Sequence, residues 1–558
     1  MGKSGFAFLV ACAVAVCAPP ANAAPVPKLW PPAGGPGHVH VHYGEEHLDD
    51  LDGPAIFPKV IADTIEFSPD LVVASADKSS NGTVENLTTW KNHMAAYDRA
   101  GIPYFAAVGN HDREALPGFP DGVSPFSPLG PYLTVFADRP YPFGDAPPIS
   151  DPAFAPKERP AGDPDGASSH YSFDYGSVRW IVLDNSCFSF TTCDGSQNPE
   201  FPDASGNQDT WDFLATEAAE AKADGMVVFV NMHMPTQDPR PGHTQPTPNP
   251  HNMGEGTAPD NAMFEDAAAA AGVDGVFAGH VKGQWIYKAQ GVPYYTDGGA
   301  GGEVYVNPGG EVGVDTGYWH GWRMLRVNGT EIVTDNVPVF VPGGVETAGP
   351  RRGSVGDALE FTAIGKQPTE KGPLVDELEL REPDRTRENG ENLPEPARIW
   401  TSTNPLVLAP IASEDDDPRR ERASQTQSGR FRAKCPGKSR VAITAGIETA
   451  AERVTVASAK GPIVRSIERR RRKLAPGKRR AVAKVVLEQP AVVDVRVVRK
   501  GRLVKSLMRK CKKRRAIARW DGRDARGRRA KRGRYRVKVK VRSDRRPVAE
   551  RFGVRLVR

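Results

Sequence analysis

The chain has 558 residues, a length typical of three or four domains. Hydrophobic residues make up 39% of it and charged residues 25%, a composition typical of soluble globular protein. After residue 23 no apolar stretch is long enough to cross a bilayer as a helix, so we expect no transmembrane segment.

Charge is distributed unevenly along the chain. Residues 431–558 contain 44 Lys and Arg against 9 Asp and Glu, whereas residues 1–430 contain 29 against 59. The formal net charge of +5 therefore combines an acidic part with a strongly basic part. The basic part is a solvated face, a surface for polyanions such as anionic cell-envelope polymers, or a contact for the acidic part of the chain. It has no motif of interleaved aromatics, so sequence-specific nucleic-acid binding is not expected.

Residues 1–23 have the features of a secretory signal. Lys3 precedes an apolar stretch over residues 6–18, and Ala21-Asn22-Ala23 matches the small-residue cleavage pattern. Leu9-Val10-Ala11-Cys12 resembles a lipoprotein cleavage box but comes too early in the segment. We therefore expect an exported protein, either secreted or associated with the cell envelope.

The cysteines agree with export. Four of them follow residue 23, an even number that suits an oxidising compartment. Cys187 and Cys193 are close in sequence and are expected to close a small loop. Cys435 and Cys511 are then expected to pair in the C-terminal region.

Short apolar runs alternate with helical patterns through the first half of the chain. In chain order, strands are predicted at 38–42, 71–77, 102–108, 171–173, 178–183, 226–232 and 273–279. Helices are predicted around 57–65, 90–100, 208–223 and 262–271. This alternation predicts a layered α/β domain.

Polar, metal-competent side chains lie at the ends of five of these strands. They are His40, His42, Asp77, Asn110, His111, His233 and His280. One such residue is more often a cap or a solvated side chain, but five strands ending in this way predict a common site at one sheet edge. Imidazole, carboxylate and amide groups together suit Zn, Fe or Mn. His111 could donate a proton, and Asp112 could orient its ring.

These blocks make the chain resemble the calcineurin-like metallophosphoesterases over about residues 38–340. The matching pieces are Ala76-Asp77 with Asn81-Gly82, Gly109-Asn110-His111-Asp112, His233 and Gly279-His280, with weaker framing at 171–176, Gln208, Trp211 and 298–302. The resemblance implies a layered β-sandwich flanked by helices. It also implies hydrolysis of phosphate monoesters or diesters by metal-activated water.

The resemblance implies roles for individual residues. Asp77 would bridge two metal ions, and one ion would also bind Asn110, His233 and His280. His42 and the residue two before it, His40, would hold the other ion. His111 would protonate the leaving oxygen or stabilise its charge.

Two positions depart from the family pattern. His40 stands where the family has Asp, and Lys282 stands where it has the last His of Gly-His-x-His. An unshifted Lys is cationic at neutral pH and does not bind metal. The site could be mononuclear, with Lys282 replacing the charge of the second metal and binding the substrate phosphate. Alternatively, His40 and His42 could hold a second metal with a carboxylate from Glu45, Glu46 or Asp49, or the domain could be a catalytically impaired protein that binds anionic cell-surface polymers.

The rest of the chain is predicted to be β-rich. After a catalytic domain at 24–345 we expect a small β-rich region at 346–412, a linker at 413–430 and a basic β-rich region at 431–558. Trp520-Asp521-Gly522-Arg523-Asp524, with Gly527 and Gly533-Arg534-Tyr535, resembles the FlgD-type Ig-like module over about residues 485–558. That resemblance implies a β-sandwich used for attachment or as a spacer.

Overall fold

The structure of the protein is a computed structural model. It describes residues 37–50, 52–113, 130–136, 154–156, 171–186, 206–237, 258–302, 304, 319–367, 377–379, 398–411, 425–426, 428–477 and 479–557. Cys187 and Cys193 lie outside these residues, as does most of the segment 113–168.

The first part of the chain alternates strands and helices. Its strands are β1 (His38–Tyr43), β2 (Leu71–Ala74), β3 (Tyr104–Ala106), β4 (Phe154–Pro156), β5 (Tyr171–Tyr175), β6 (Val178–Val182), β7 (Val227–Asn231), β8 (Gly275–Ala278), β9 (Gln284–Ala289), β10 (Val292–Asp297), β11 (Gly321–Asn328) and β12 (Glu331–Pro338). Its helices are α1 (Gly53–Phe67), α2 (Val84–Ala100), α3 (Gly130–Phe136), α4 (Gly206–Ala223) and α5 (Ala258–Ala270), and a 3-10 turn covers Asn110–Asp112.

These strands form two sheets. One has the order β12-β11-β1-β2-β3, and the other has the order β4-β5-β6-β7-β8-β10-β9. Strands β1, β2 and β3 are parallel in the first sheet, and β6, β7, β8 and β10 are parallel in the second. The carboxyl ends of the parallel strands in each sheet therefore lie at one edge of that sheet.

The two sheets pack face to face with helices outside them. Phe105, Phe173, Trp180, Phe229 and Phe277 belong to the apolar layer between the sheets. A second core joins the first sheet to α1, α2 and α3, and a third joins the second sheet to α4 and α5. The layered α/β arrangement predicted from the sequence is confirmed.

The middle part of the chain is built from strands. They are β13 (Val345–Ala348), β14 (Arg352–Ser354), β15 (Ala358–Glu360), β16 (Thr362–Lys366), β17 (Glu377–Glu379), β18 (Arg398–Ser402), β19 (Leu408–Pro410), β20 (Gln425–Thr426), β21 (Arg430–Ala433), β22 (Gly437–Ala445) and β23 (Glu448–Ala457). They share a core that includes Phe361, Trp400 and Phe431.

Strand pairing in this part differs from the expected division at 413–430. β21 pairs with β15 and β19, β22 pairs with β18, and β23 pairs with β14. Residues 430–457 therefore belong with the strands that precede the expected linker at 413–430. The physical reason is that these strands pair across it, which local composition does not reveal.

The last part of the chain is a two-sheet sandwich. Its strands are β24 (Val464–Arg469), β25 (Lys473–Leu474), β26 (Arg480–Leu487), β27 (Ala491–Arg499), β28 (Arg502–Lys512), β29 (Arg515–Trp520), β30 (Gly533–Arg542) and β31 (Val548–Leu556). The sheets have the orders β24-β26-β29 and β25-β31-β30-β27-β28 and enclose one core. The FlgD-type Ig-like assignment remains a prediction.

A disulfide joins Cys435 to Cys511, as the sequence predicted. Cys435 follows β21, and Cys511 lies in β28, so the bond links the middle strands to the C-terminal sandwich. Among the described residues, no helix combines the length and the hydropathy needed to cross a membrane.

Candidate functional site

Two loops at the carboxyl edge of the first sheet run side by side. The backbone N–H of Glu45 donates to the carbonyl of Ala76 at 3.0 Å, and that of His47 donates to the carbonyl of Asp77 at 2.9 Å. A third loop packs onto them at Gly301, where a Cβ would lie 1.8 Å from the carbonyl oxygen of Glu46. Only glycine permits this approach, which explains part of the glycine-rich segment 298–302.

Four polar residues at this edge have backbone conformations in the left-handed region. The φ angles are 61° at Glu45, 33° at His47, 59° at Asp77 and 62° at His280. Such angles are uncommon for residues other than glycine, and they concentrate at functional sites, where the surrounding structure stabilises the strain. The four residues are also buried.

Asp77 lies at the centre of the site. Its Oδ1 accepts a hydrogen bond from the backbone N–H of His111 at 2.9 Å. Its Oδ2 lies 3.4 Å from Nε2 of His47 and 3.3 Å from Nε2 of His233, and it has no hydrogen-bond partner among the described residues. A Cβ at Gly109 would lie 2.1 Å from Oδ1, so glycine is required there. One buried carboxylate thus faces two groups of potential ligands.

The first group contains Asn110, His233 and His280. Nε2 of His233 lies 2.7 Å from Oδ1 of Asn110 and 3.2 Å from Nδ1 of His280. Oδ1 of Asn110 and Nδ1 of His280 are 3.0 Å apart. Nδ1 of His233 faces the carbonyl of Ser75 at 2.9 Å and donates to it. In the neutral ring the lone pair of His233 therefore lies on Nε2, directed toward Asn110 and Asp77.

The second group contains Glu45 and His47. Oε2 of Glu45 lies 3.0 Å from Nε2 of His47, and Oε1 accepts a hydrogen bond from the backbone N–H of His280. The ring of His111 lies 4.9 Å from the ring of His47, centroid to centroid. Nδ1 of His111 donates to the carbonyl of Ser80 at 2.9 Å, which leaves Nε2 for other partners.

The charges in the site affect one another strongly. Burial and Lys282 act to lower the pKa of His47, but Asp77 and Glu45 outweigh them and raise it to about 9. Burial also disfavours the protonated form of His233, but Asp77 and Glu45 outweigh this effect and raise the pKa of His233 to about 9. Burial opposes ionisation of Asp77, yet His233 and His111 hold its pKa well below its usual value. The carboxylates therefore create a pocket that attracts cations.

This arrangement fits metal ions. Ligand atoms of His47, Asp77 and His111 lie within 4.8 Å of one another, as do those of Asp77, His233 and His280. Atoms that bind one ion at about 2.0–2.2 Å lie about 3 Å from each other. The separations of 2.7–3.3 Å among Asp77, Asn110, His233 and His280 match that value. Asp77 is common to both of these sets of three residues.

His40 and His42 lie elsewhere, contrary to expectation. His40 packs between the sheets, where Nδ1 accepts a hydrogen bond from Nε1 of Trp180 at 3.2 Å. Nδ1 of His42 lies 2.7 Å from Oδ2 of Asp297, and its Nε2 lies 3.1 Å from Oδ1 of Asn231. The strand ends after Tyr43, so these side chains remain inside the sandwich.

Asp112 and Lys282 also have contacts that the sequence did not reveal. Asp112 does not orient the ring of His111, because its carboxylate accepts bonds from the backbone N–H of Gly109 and from the N–H and Nζ of the buried Lys78. Asp112 therefore stabilises the turn at Asn110–Asp112 and not the ring of His111. Nζ of Lys282 lies 3.3 Å from Oδ2 of Asp50, and its charge reaches His47.

Sequence reasoning missed Glu45 and His47 as a pair. The signal was present as Glu45-Glu46-His47, an acidic-x-His spacing directly beyond the end of β1.

Sequence reasoning also missed Asn185, whose Oδ1 accepts hydrogen bonds from the backbone N–H groups of His233 and Met234, both at 3.0 Å. Asn185 holds the loop that carries His233, a role visible only in three dimensions.

The chain matches no protein-family model and no curated protein. It is similar to solved structures of low sequence identity. GAP50, the anchor in the inner membrane complex of Plasmodium, is 14% identical over 55% of this chain and 85% of that chain, with a TM-score of 0.34. Purple acid phosphatase PPD1 from yellow lupin seeds is 14% identical over 55% of this chain and 52% of that chain, with a TM-score of 0.37.

A further similar structure is PhoD, which is 13% identical over 65% of this chain and 74% of that chain, with a TM-score of 0.36. The chain thus spans about half the length of the lupin phosphatase and about three quarters of PhoD. Likeness at these values assigns neither a reaction nor a substrate to the chain. The functional assignment depends on the side chains of the site.

Proposed function

We propose that this protein is a metal-dependent phosphoesterase that hydrolyses phosphate monoesters or diesters. The observation that carries the proposal is the position of Asp77, whose buried Oδ2 faces both His47 and His233. A carboxylate shared by two groups of nitrogen and oxygen ligands is the arrangement needed to hold two cations close together. Mn, Fe and Zn suit the mixed ligand set.

The residues have separate roles in this proposal. Asp77, Asn110, His233 and His280 would hold one ion, and Glu45, His47 and Asp77 would hold the other. These residues would place the ions where they could supply Lewis-acid polarisation of a phosphoryl oxygen and activation of water. Asn185 positions His233, and Ser75 fixes the tautomer of His233 by accepting from Nδ1.

His111 is the proposed proton donor to the leaving oxygen. Its Nδ1 is committed to Ser80, so a proton is held or released at Nε2. Burial lowers the pKa of His111, although Asp77 acts to raise it. The protonated ring is therefore a stronger acid than a free imidazolium, which favours proton transfer to a leaving oxygen.

Lys282 makes the two metal positions unequal. It supplies a positive charge near His47 but no ligand, because an ammonium group has no lone pair. We infer that the ion held by Asn110, His233 and His280 binds tightly and that the ion held by Glu45 and His47 binds weakly. The Lys282 ammonium also offers a contact for a substrate phosphate.

The test is hydrolysis of p-nitrophenyl phosphate and of bis(p-nitrophenyl) phosphate by the full chain. The protein is first stripped with a chelator and then supplied with Mn, Zn or Fe, beside His111→Ala. Metal-dependent turnover that falls in the variant supports the proposal, and the ratio of the two rates gives the ester class. Absence of turnover with each metal in folded protein would instead support binding of phosphoryl groups without hydrolysis.

A further inference from the structure

Strand alternation in the C-terminal sandwich places cations on one face of its five-stranded sheet. In β30, Tyr535, Val537, Val539 and Val541 are buried in the core. The residues between them face outward. They are Arg534, Arg536, Lys538, Lys540 and Arg542.

Neighbouring strands extend this face in register. Lys538 lies opposite Arg496 of β27 on one side and Arg551 of β31 on the other. Arg534 lies opposite Arg555, and Asp494 lies opposite both Lys540 and Arg509. We define the basic face by its nine cationic residues, Arg496, Arg509, Arg534, Arg536, Lys538, Lys540, Arg542, Arg551 and Arg555.

Negative charge on the basic face is confined to one residue among the described strands. Asp494 binds Arg496 through two hydrogen bonds of 2.9 Å and lies 3.7 Å from Arg542. Among the described residues, no ion pair joins the other seven cations to a carboxylate. Most of them are exposed. The face therefore presents a large uncompensated positive charge to the solvent.

The spacing of these charges is regular. Outward residues of one strand repeat at about 6.8 Å, and strands lie about 4.8 Å apart. Repeated cations at such intervals suit an anion whose charges also repeat. Seven of the nine side chains are arginines, whose guanidinium groups bind phosphate through paired hydrogen bonds.

The shape and composition of the face distinguish between polyanions. It carries no aromatic side chain, so it offers nothing on which the bases of a single-stranded nucleic acid could stack. Adjacent strands of a sheet are rotated by about 20–25°, so a face four strands wide is twisted. A planar bilayer meets only part of a twisted surface, whereas a flexible chain can follow it.

We propose that the basic face binds a flexible linear phosphate polymer along the strands of the C-terminal sandwich. The interaction is independent of the proposed phosphoesterase site, since the face shares no residue with it. Binding is electrostatic and insensitive to the identity of the groups between the phosphates. Added salt weakens it steeply, because each phosphate contact releases counterions.

Fluorescence anisotropy of labelled long-chain inorganic polyphosphate with the full chain tests this proposal. The test variant is Arg536→Glu with Lys540→Glu, which reverses two exposed charges on the basic face. The matched control is Arg515→Glu with Arg519→Glu, which reverses two exposed charges on β29 of the opposite sheet. Both changes alter the net charge equally.

We expect the test variant to bind polyphosphate at least about tenfold more weakly and with a smaller salt dependence, while the control stays near wild type. Intact disulfide and unchanged unfolding midpoints show that both variants fold. Equal losses in the two variants would overturn the proposal, since they would show attraction by net charge alone. Stronger binding to phosphatidylglycerol vesicles or to a single-stranded oligonucleotide than to polyphosphate would also overturn it.

Discussion

Oδ2 of Asp77 lies 3.3 Å from Nε2 of His233, although the two residues are 156 positions apart and belong to different sheets. The contact joins the carboxyl edges of both sheets at one buried carboxylate. It follows from the parallel order of β1, β2 and β3 in one sheet and of β6, β7 and β8 in the other.

His47 and His42 should behave differently when replaced. His47→Ala removes a proposed ligand, so we expect weaker metal binding and loss of turnover with little change in the stability of the metal-free fold. His42→Ala breaks a buried pair with Asp297 and should lower the free energy of unfolding by about 3 kcal/mol. Chemical denaturation in chelator and metal titration separate the two effects. The reverse pattern would restore His42 as the ligand.

Lys282→His should strengthen the weaker metal position. The imidazole adds a ligand and removes a cation near His47 at neutral pH. We expect the second equivalent of Zn or Mn to bind at least about tenfold more tightly, as measured by calorimetric titration. Lys288→His, at an exposed position of β9, is the control. Unchanged binding of the second equivalent in Lys282→His would contradict the assignment of that position.

Asn185 should act through His233 without binding metal itself. Asn185→Ala leaves the N–H groups of His233 and Met234 without their acceptor, and we expect metal affinity to fall about 10- to 100-fold. Asn185→Asp keeps an acceptor oxygen and should recover much of the affinity. Competition with a fluorescent chelator measures both variants. Equal losses in both would show that acceptance of these bonds is not its role.

His40 should make the fold sensitive to acid. Burial and, to a smaller extent, the charge of His38 together lower the pKa of His40 from 6.5 to about 3. Between these values the unfolded chain binds a proton that the folded chain does not. Stability is therefore retained above about pH 6.5 and lost as the pH falls, at up to about 1.4 kcal/mol per unit.

His40→Asn tests this dependence, because its side-chain oxygen can still accept the bond from Trp180. Between pH 7 and 5 the wild type should lose about 2 kcal/mol more than the variant. Urea unfolding at several pH values gives the comparison. Parallel profiles would show that His40 does not contribute.

The sequence predicted much of the first domain because its buried strands are short apolar runs with clear ends. Asp77, Asn110, His233 and His280 follow directly from those ends, and the structure brings them together. His40 and His42 misled because a strand's alternate residues share one face, and here that face is the interior between the sheets. Glu45 and His47 depend on where β1 stops, which periodicity fixes only approximately.

The middle strands show a different limit. Residues 413–430 have the composition of a solvated linker, yet strands on both sides of them share sheets. Pairing of this kind depends on contacts between distant segments, and these are absent from local composition. The Cys435–Cys511 bond was predictable because few cysteines were available for pairing.

The central claim is that a metal site built on Asp77 hydrolyses phosphoesters. The most direct test is p-nitrophenol release from aryl phosphates by metal-loaded full chain, comparing wild type with Asp77→Asn and with Asp274→Asn, a control carboxylate paired with Lys222. We predict metal-dependent turnover that falls by more than about 100-fold in Asp77→Asn and persists in Asp274→Asn. Turnover that survives in a folded Asp77→Asn variant would contradict the claim.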